Sequence, residues 1–360
     1  LAAAEIDVEI RGERYPDLTT APRLGPADLE LAVSSDRPIG NVAVAPDGMV
    51  YFTIHPEANP SHPKLYRAAL GGRPEPWPAT NQEALFDGPL GVVIDGRNRL
   101  WLIDPATHGT GAVKLLALDL ATGDVVHEHV FDRAIAPLGS FVQDLQIDAA
   151  GETVYVADVG FWAQRPALIV YDVASGAARR VLNRHPSVTS QQWIIHNQIK
   201  RMEFFGGLMA MKVGVDGLAL SRDGAWLYYA AMTHDEHYRI RTSDLKNAAL
   251  DDEALAARIE PLGPKPINDG MSTDAEGAVY FTDVENQAVV AWREGAGLET
   301  VVKDERIRWA DALSFGPEGW LYLADSAIPH LVLQSPEHIA EQAPYAIWRF
   351  KPGGQGAPGQ

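Results

Sequence analysis

The sequence contains no cysteine, which excludes disulfides, zinc–thiolate centres and thiol nucleophiles together. No apolar run is long enough to cross a bilayer as a helix. Basic residues are in deficit: 30 Lys and Arg stand against 48 Asp and Glu, a net charge of −18. A surface this acidic repels phosphate backbones, so nucleic acid is not an expected partner. Also missing are a glycine-rich phosphate loop, a helical HExxH and a GxSxG nucleophile elbow. No organic cofactor is expected.

What is present is a repeat. A Gly-containing turn running into a short apolar strand recurs as APDGMVYFT (45–53), DGRNRLWLID (95–104), DAAGETVYVAD (148–158), SRDGAWLYYAA (221–231), DAEGAVYFTD (274–283) and GPEGWLYLAD (316–325). Aligned on Tyr51, Trp101, Tyr155, Tyr228, Tyr280 and Tyr322, the copies lie 50, 54, 73, 52 and 42 residues apart. That spacing suits one four-stranded sheet per copy and predicts an all-β, six-bladed propeller. Blades need neighbours to bury their faces, so a single domain over 29–352 is expected despite the length of 360 residues. It is preceded by an extension (1–28) and followed by a Gly/Pro-rich, disordered tail (353–360).

The last repeat supplies only three strands. An open blade edge would expose unpaired backbone groups, so LELAVSS (29–35) is expected to pair with 346–351 and close the ring. IDVEIR (6–11) is the weaker candidate. Two segments break the rhythm: an insertion at 183–213, and SDLKNAALDDEALAAR (244–259), whose Ser and Asp caps and alanines predict a short helix. The opening LAAAE resembles the vicinity of a signal-peptide cleavage point and equally a few unstructured residues; export to the periplasm or outside is the expectation. A monomer with no membrane span is expected.

Topology limits where a site can lie. The first two strands of a blade are antiparallel, so the start of the inner strand and the end of the second open on one channel mouth. Counting five residues back from each turn gives Asp269, Asp216, Asp311 and Gln143, with Gly40 and Leu90 in the first two blades. Asp144 adjoins Gln143. One Asp before Gly serves equally well as a turn, but three acids at matched register point to a polar channel site. Crowded carboxylates hold a proton or a cation, and oxygen ligands alone favour a hard ion such as Ca²⁺. Asp216, Asp269 and Asp311 are the candidate metal ligands, and Gln143, Asp144 and Asp311 candidate ligand contacts. Loops at the same mouth carry His55, His62, His108, Trp162, His234, His237 and His330. Among these, His108 and Trp162 are candidate ligand contacts, and His234 joins Asp216 and Asp269 as candidate catalytic groups. The acids ending the second strands, Asp104, Asp158, Asp283 and Asp325, suit hydrogen bonds to loop backbone instead.

GVDGLALSRDGAWLYYAAMTHDEHYRIRTSDL (214–245) resembles the most recognisable block of the yellow and major royal jelly protein family. GVVIDGRNRLWLID (91–104), YVADVG (155–160), ALIVYD (167–172) and NDGMSTDAEGAVYFTDVENQAVVAW (268–292) extend the likeness across about residues 36–350 in the family's order. The resemblance implies an exported six-bladed propeller that takes a small aromatic molecule in its channel, some members being credited with dopachrome conversion. Lacking the cysteines of insect members, the chain looks like a bacterial-type relative. A more distant resemblance, to the regucalcin and gluconolactonase propellers, implies a divalent metal in the channel. Asp269 matches that group's DG-motif Asp, Asp216 stands at its Asn position, and Gly40 stands where its Glu would ligate. Three readings follow: a propeller binding or tautomerising an aromatic or catechol-derived ligand, a divalent-metal-dependent lactone hydrolase, and a non-catalytic interaction scaffold. Fold alone does not choose among them.

Overall fold

The computed structural model describes residues 13–357 and 359–360, so IDVEIR (6–11) lies outside the described residues. Six four-stranded antiparallel sheets stand around a channel. Their innermost strands are Ile39–Val44, Val92–Ile94, Val142–Ile147, Val215–Leu220, Asn268–Thr273 and Ala310–Phe315. The next strands outward are the repeated phrase: Val50–Ile54, Arg99–Asp104, Thr153–Asp158, Trp226–Ala231, Val279–Asp283 and Leu321–Asp325.

The phrase recurs because its turn and its aromatic residue are one unit. In blade two, Asp95 Oδ1 accepts from the backbone N–H of Arg97 and Arg99 at 2.8 and 3.1 Å. The buried Trp101 Nε1 donates to its other oxygen at 2.8 Å. Blade five repeats the device, Asp274 capping Glu276 and Ala278 while the Tyr280 hydroxyl donates to it at 2.7 Å. A buried indole or phenol needs a partner for its polar end, and the turn carboxylate supplies one. Apolar faces of adjacent blades then interdigitate; Val93, Trp101 and Leu115 of blade two pack with Leu145, Val154 and Ile169 of blade three.

Ring closure follows the expectation. Glu30–Ser35 pairs antiparallel with Tyr345–Phe350, from Glu30↔Arg349 to Ser35↔Tyr345. The Arg349 Nη2 donates to Glu30 Oε2 at 2.7 Å, fixing the register from outside. Removing residues 1–35 is expected to leave blade six with a bare edge and to abolish the cooperative thermal transition of the monomer. A soluble monomer with an unchanged melting curve would show that another segment closes the ring.

The second irregular segment holds two short helices, Thr242–Lys246 and Asp252–Ala256; Asp251 caps the latter by accepting from Ala254 N at 2.9 Å. The insertion folds a small hairpin, Glu203–Phe204 with Met209–Ala210, over the channel mouth. The tail departs from expectation. Ile94 N donates to Gly359 O at 3.0 Å, Gly359 N to Phe315 O and Phe315 N to Gln360 O, both at 2.8 Å. Its glycines permit close approach rather than freedom: a Cβ on Gly354 would lie 2.1 Å from Asp274 Oδ2, and one on Gly356 2.0 Å from Phe315 Cδ2. Composition alone reads such a stretch as disordered, because it carries no side chains to form a core of its own.

Candidate functional site

Every inner strand except blade two's carries a local break in register near its mouth-facing end. The breaks fall between Ile39/Val42, Val142/Asp144, Val215/Leu218, Asn268/Met271 and Ala310/Ala312. A bulge re-aims the side chains around it, and here it turns Asp216, Asp269 and Asp311 into the channel, where all three line the same cavity. The glycines after two of these acids are not turn residues. A Cβ on Gly217 would lie 2.6 Å from Asp269 O, and one on Gly270 2.5 Å from Asp311 O. Glycine lets each inner strand press against the next, which brings acids of successive blades together.

The cluster is buried, Asp216, Asp269 and Asp311 being 1, 5 and 6 % exposed. Gln143 donates its amide N–H to Asp216 Oδ1, and the Trp309 indole donates to Asp269 Oδ2 at 2.7 Å. Asp216 and Asp269 line the same cavity from successive blades. Burial first, and then the neighbouring acids, push both carboxyls well above the usual carboxylate range; the Gln143 and Trp309 hydrogen bonds offset this only in part. Asp216 Oδ2 is buried with no partner. His55 Nδ1 accepts from Glu57 N at 3.1 Å. The ring proton therefore sits on Nε2, which faces Asp311 Oδ2 at 3.4 Å.

Above the acids lies a cavity of about 690 Å³, measured to its open mouth. Its walls are Phe141, just before the inner strand of blade three, Phe161 and Trp162 in the loop after that blade's second strand, and Phe204, Met209 and Met211 of the insertion. Glu57 and His108 are the polar wall residues, joined Nε2 to Oε1 at 2.8 Å. The His108 ring stacks on Phe141 with centroids 4.4 Å apart and meets the edge of Trp162 at 6.0 Å. The turn bearing it is strained. Ala106, Thr107 and His108 have φ of 46, 51 and 54° in succession, a left-handed run costing about 1–2 kcal/mol per non-glycine residue. Below the acids, a second cavity of about 430 Å³ is bounded by Gly359 and Gln360 of the tail.

Of the residues singled out from sequence, Gln143, Asp216, Asp269, Asp311, His55, His108 and Trp162 meet at this pocket. Asp144 does not face it; its oxygens accept from Leu145 N at 2.9 Å and Leu218 N at 3.1 Å, tying blade three to blade four. Burial raises its carboxyl to about 7. His234 is a correction. It does not line the pocket: Nδ1 accepts from Glu236 N at 3.0 Å, Nε2 meets the Gln191 amide at 3.3 Å, and burial lowers it to about 4. The second-strand acids are structural as expected; Asp104, for example, accepts from Asp87, Gly88 and Ala106 backbone N–H groups. Glu57, Trp309, Phe141 and Phe161 were not singled out from sequence. Trp309 alone left a signal, standing two residues before the register position of Asp311.

A hard cation fits this donor set by chemistry, since every candidate ligand is oxygen and Asp216 offers an unpaired one. Gly40 contributes nothing, because Leu90, Thr53 and His55 occupy the space within 3.3 Å of where its Cβ would be. Among the described residues, no three His, Asp or Glu side chains form a ready-made cation cage. Water or substrate oxygens would have to complete one.

Residues 88–323 match the family described as Major royal jelly protein. Major royal jelly protein 2 of Apis mellifera is 25 % identical over 223 residues, 58 % of this chain and 46 % of that protein. The chain thus spans about half the length of that relative. Among solved structures, a luciferin-regenerating enzyme aligns with TM-score 0.60 and 12 % identity over 92 % of this chain and 97 % of its own. Regucalcin, a calcium-binding protein from Agrobacterium tumefaciens, aligns with TM-score 0.55 and 15 % identity over 92 % and 96 %. At such identities the likeness to the two structures is one of fold.

Proposed function

This chain belongs to the major royal jelly protein family, and we propose that its pocket is the active site of a cation-assisted hydrolase opening lactones with an apolar or aromatic body. The observation that carries the reading is the placement of three buried carboxylates, one with an unpaired oxygen, at the base of an aromatic-walled cavity. Asp216, Asp269 and Asp311 would hold the ion, Gln143 and Trp309 orienting the first two. When bound, a divalent cation polarises a carbonyl and lowers the pKa of water. In the reaction itself, water adds to the lactone carbonyl and the ring C–O bond breaks, leaving a hydroxy acid. The walls keep bulk water out and offer few hydrogen-bond partners, which disfavours a polyhydroxylated sugar lactone and favours an aryl or alkyl one. The fold is shared with a protein named for calcium binding and with an enzyme named for an aromatic heterocycle. A weak calcium site would suit an exported protein, since extracellular sites work near 10⁻⁴–10⁻³ M.

The rings of His108, Phe141, Phe161 and Trp162 favour a second reading, capture or tautomerisation of a flat aromatic without a metal. Such an isomerisation needs only a positioned acid and base.

Calcium separates the two. At 1 mM and a Kd near 10⁻⁴ M, linkage gives about 1.4 kcal/mol, or roughly 2 °C in Tm. The rise is expected in the native chain and absent in Asp269→Ala, each compared with its own chelator-treated control. No rise in the native chain removes the cation, and hydrolysis of an aryl lactone in chelator would then leave only a metal-free acid–base site.

A further inference from the structure

His108 has three features that the carboxylate floor does not explain. Its Nε2 is engaged by the Glu57 carboxylate at 2.8 Å, an acceptor-only group when ionised, so this nitrogen carries the ring proton. Its other nitrogen, Nδ1, is buried with no hydrogen-bond partner. Its backbone is the last non-glycine position of the left-handed run from Ala106, continued by Gly109 at φ 72°. Strain of this kind persists only where surrounding contacts over-determine it. Here they do: Gly139 N donates to His108 O at 3.2 Å, Gly111 N to Ala106 O at 3.1 Å, and the Arg133 guanidinium holds the carbonyls of Gly109, Thr110 and Gly111. The effect is to press the imidazole flat against Phe141 beside the pocket.

We propose that Glu57 and His108 form a proton-transfer dyad on the pocket wall, with His108 Nδ1 as the atom that takes a proton from, and returns it to, the bound molecule. Glu57 holds the tautomer and stabilises the imidazolium, the division of labour found in carboxylate–histidine pairs on unrelated folds. In lactone opening, Nδ1 takes the proton of the attacking water, and the imidazolium gives it to the departing ring oxygen, so no proton is left over. The surroundings are consistent with this task. Burial raises Glu57, but its hydrogen bond to His108 and the nearby His55 more than offset that and hold it below the usual carboxylate range. The charged or titratable groups near His108 are Glu57, with His55 behind it, and Arg133, which is turned to backbone carbonyls of the same turn. Phe141, Phe161 and Trp162 pack around the ring, which also lines the cavity.

The inference rests on the pocket reading but not on the cation, and the test keeps the two apart. With dihydrocoumarin as the probe, His108→Asn is expected to lower kcat about 100-fold or more with KM changed less than about threefold. Asparagine tolerates the left-handed turn. Glu57→Gln is expected to lower kcat about tenfold and to move the acidic limb of the pH profile down by about one unit. Activity of His108→Asn within twofold of the native chain, while Asp216→Asn is inactive, overturns the dyad and leaves the hydrolase. If the native chain does not open the probe, the hydrolase reading falls and imidazole ¹⁵N NMR decides the dyad. A proton on Nε2, with a titration that shifts down in Glu57→Gln, supports it; a proton on Nδ1, or an unmoved titration, overturns it.

Discussion

Gly270→Ala is expected to lower the melting temperature by roughly 4 °C or more and to abolish any response to calcium. The added methyl would sit 2.5 Å from Asp311 O and 2.8 Å from Ala312 Cα, both in the backbone of the next blade. Backbone cannot rotate aside as a flexible side chain can, so blades five and six must separate. Overpacking a tight interior costs about 1–3 kcal/mol and occasionally more, and the site lies at the upper end because the obstacle is main chain. Separating the blades also pulls Asp311 from Asp216 and Asp269, so function is lost with stability. Gly277→Ala is the control. That residue has φ of +85° with nothing within 4 Å, so its cost is the left-handed backbone alone, about 1 kcal/mol and roughly 1 °C. Equal losses at the two positions would mean that close approach of the inner strands does not determine how the acids are brought together.

That contrast bears on what a reader of the sequence can see. The turn-plus-aromatic phrase is legible because one hydrogen-bonded unit, Asp95 with Trp101 or Asp274 with Tyr280, is rebuilt in successive blades. Counting back from it finds Asp216, Asp269 and Asp311, since the inner strands of blades four, five and six are each six residues long. The missing fourth strand of blade six betrays LELAVSS by the same logic. What does not show is the bulge. A one-residue bulge has no residue signature beyond the DG pair itself, and that pair reads equally as a turn, although Gly217 and Gly270 serve inter-blade contact. Loop geometry is less legible again. His234 and His108 are both histidines in mouth loops, and only the three-dimensional path gives one a full set of local partners and the other a free nitrogen. Glu57 is 51 residues from His108, and no spacing rule connects them.

In chelator, stability is expected to fall as pH rises from 5 to 7. The sign follows from which state holds more protons. Asp216 and Asp269 are raised well above the usual value, Asp144 and Glu285 to about 7, and Asp283 to about 6, in each case by burial first. A raised acid stabilises the fold fully below its unfolded pKa, near 4, and loses that contribution as pH climbs to the folded value. His234 and His237, lowered to about 4 and 3 by burial, act oppositely, since the unfolded chain keeps their protons up to about 6.5. His62, His127, His129, His185, His196 and His330 are lowered by burial too, though less far, so the five strongly raised acids set the sign; each net proton is worth about 1.4 kcal/mol per pH unit. Above pH 7 the fall slows, because burial lowers Lys265 to about 7 and the unfolded chain alone holds that proton up to about 10.5. Calcium should flatten the fall, for a cation displaces the very protons the cluster would otherwise release. Asp216→Asn with Asp269→Asn should flatten it without calcium, by removing two of the sites. A melting temperature that climbs steadily from pH 5 to 7 in chelator would mean these carboxylates are already ionised and paired, and the floor of the pocket would then need a different partner from the one proposed.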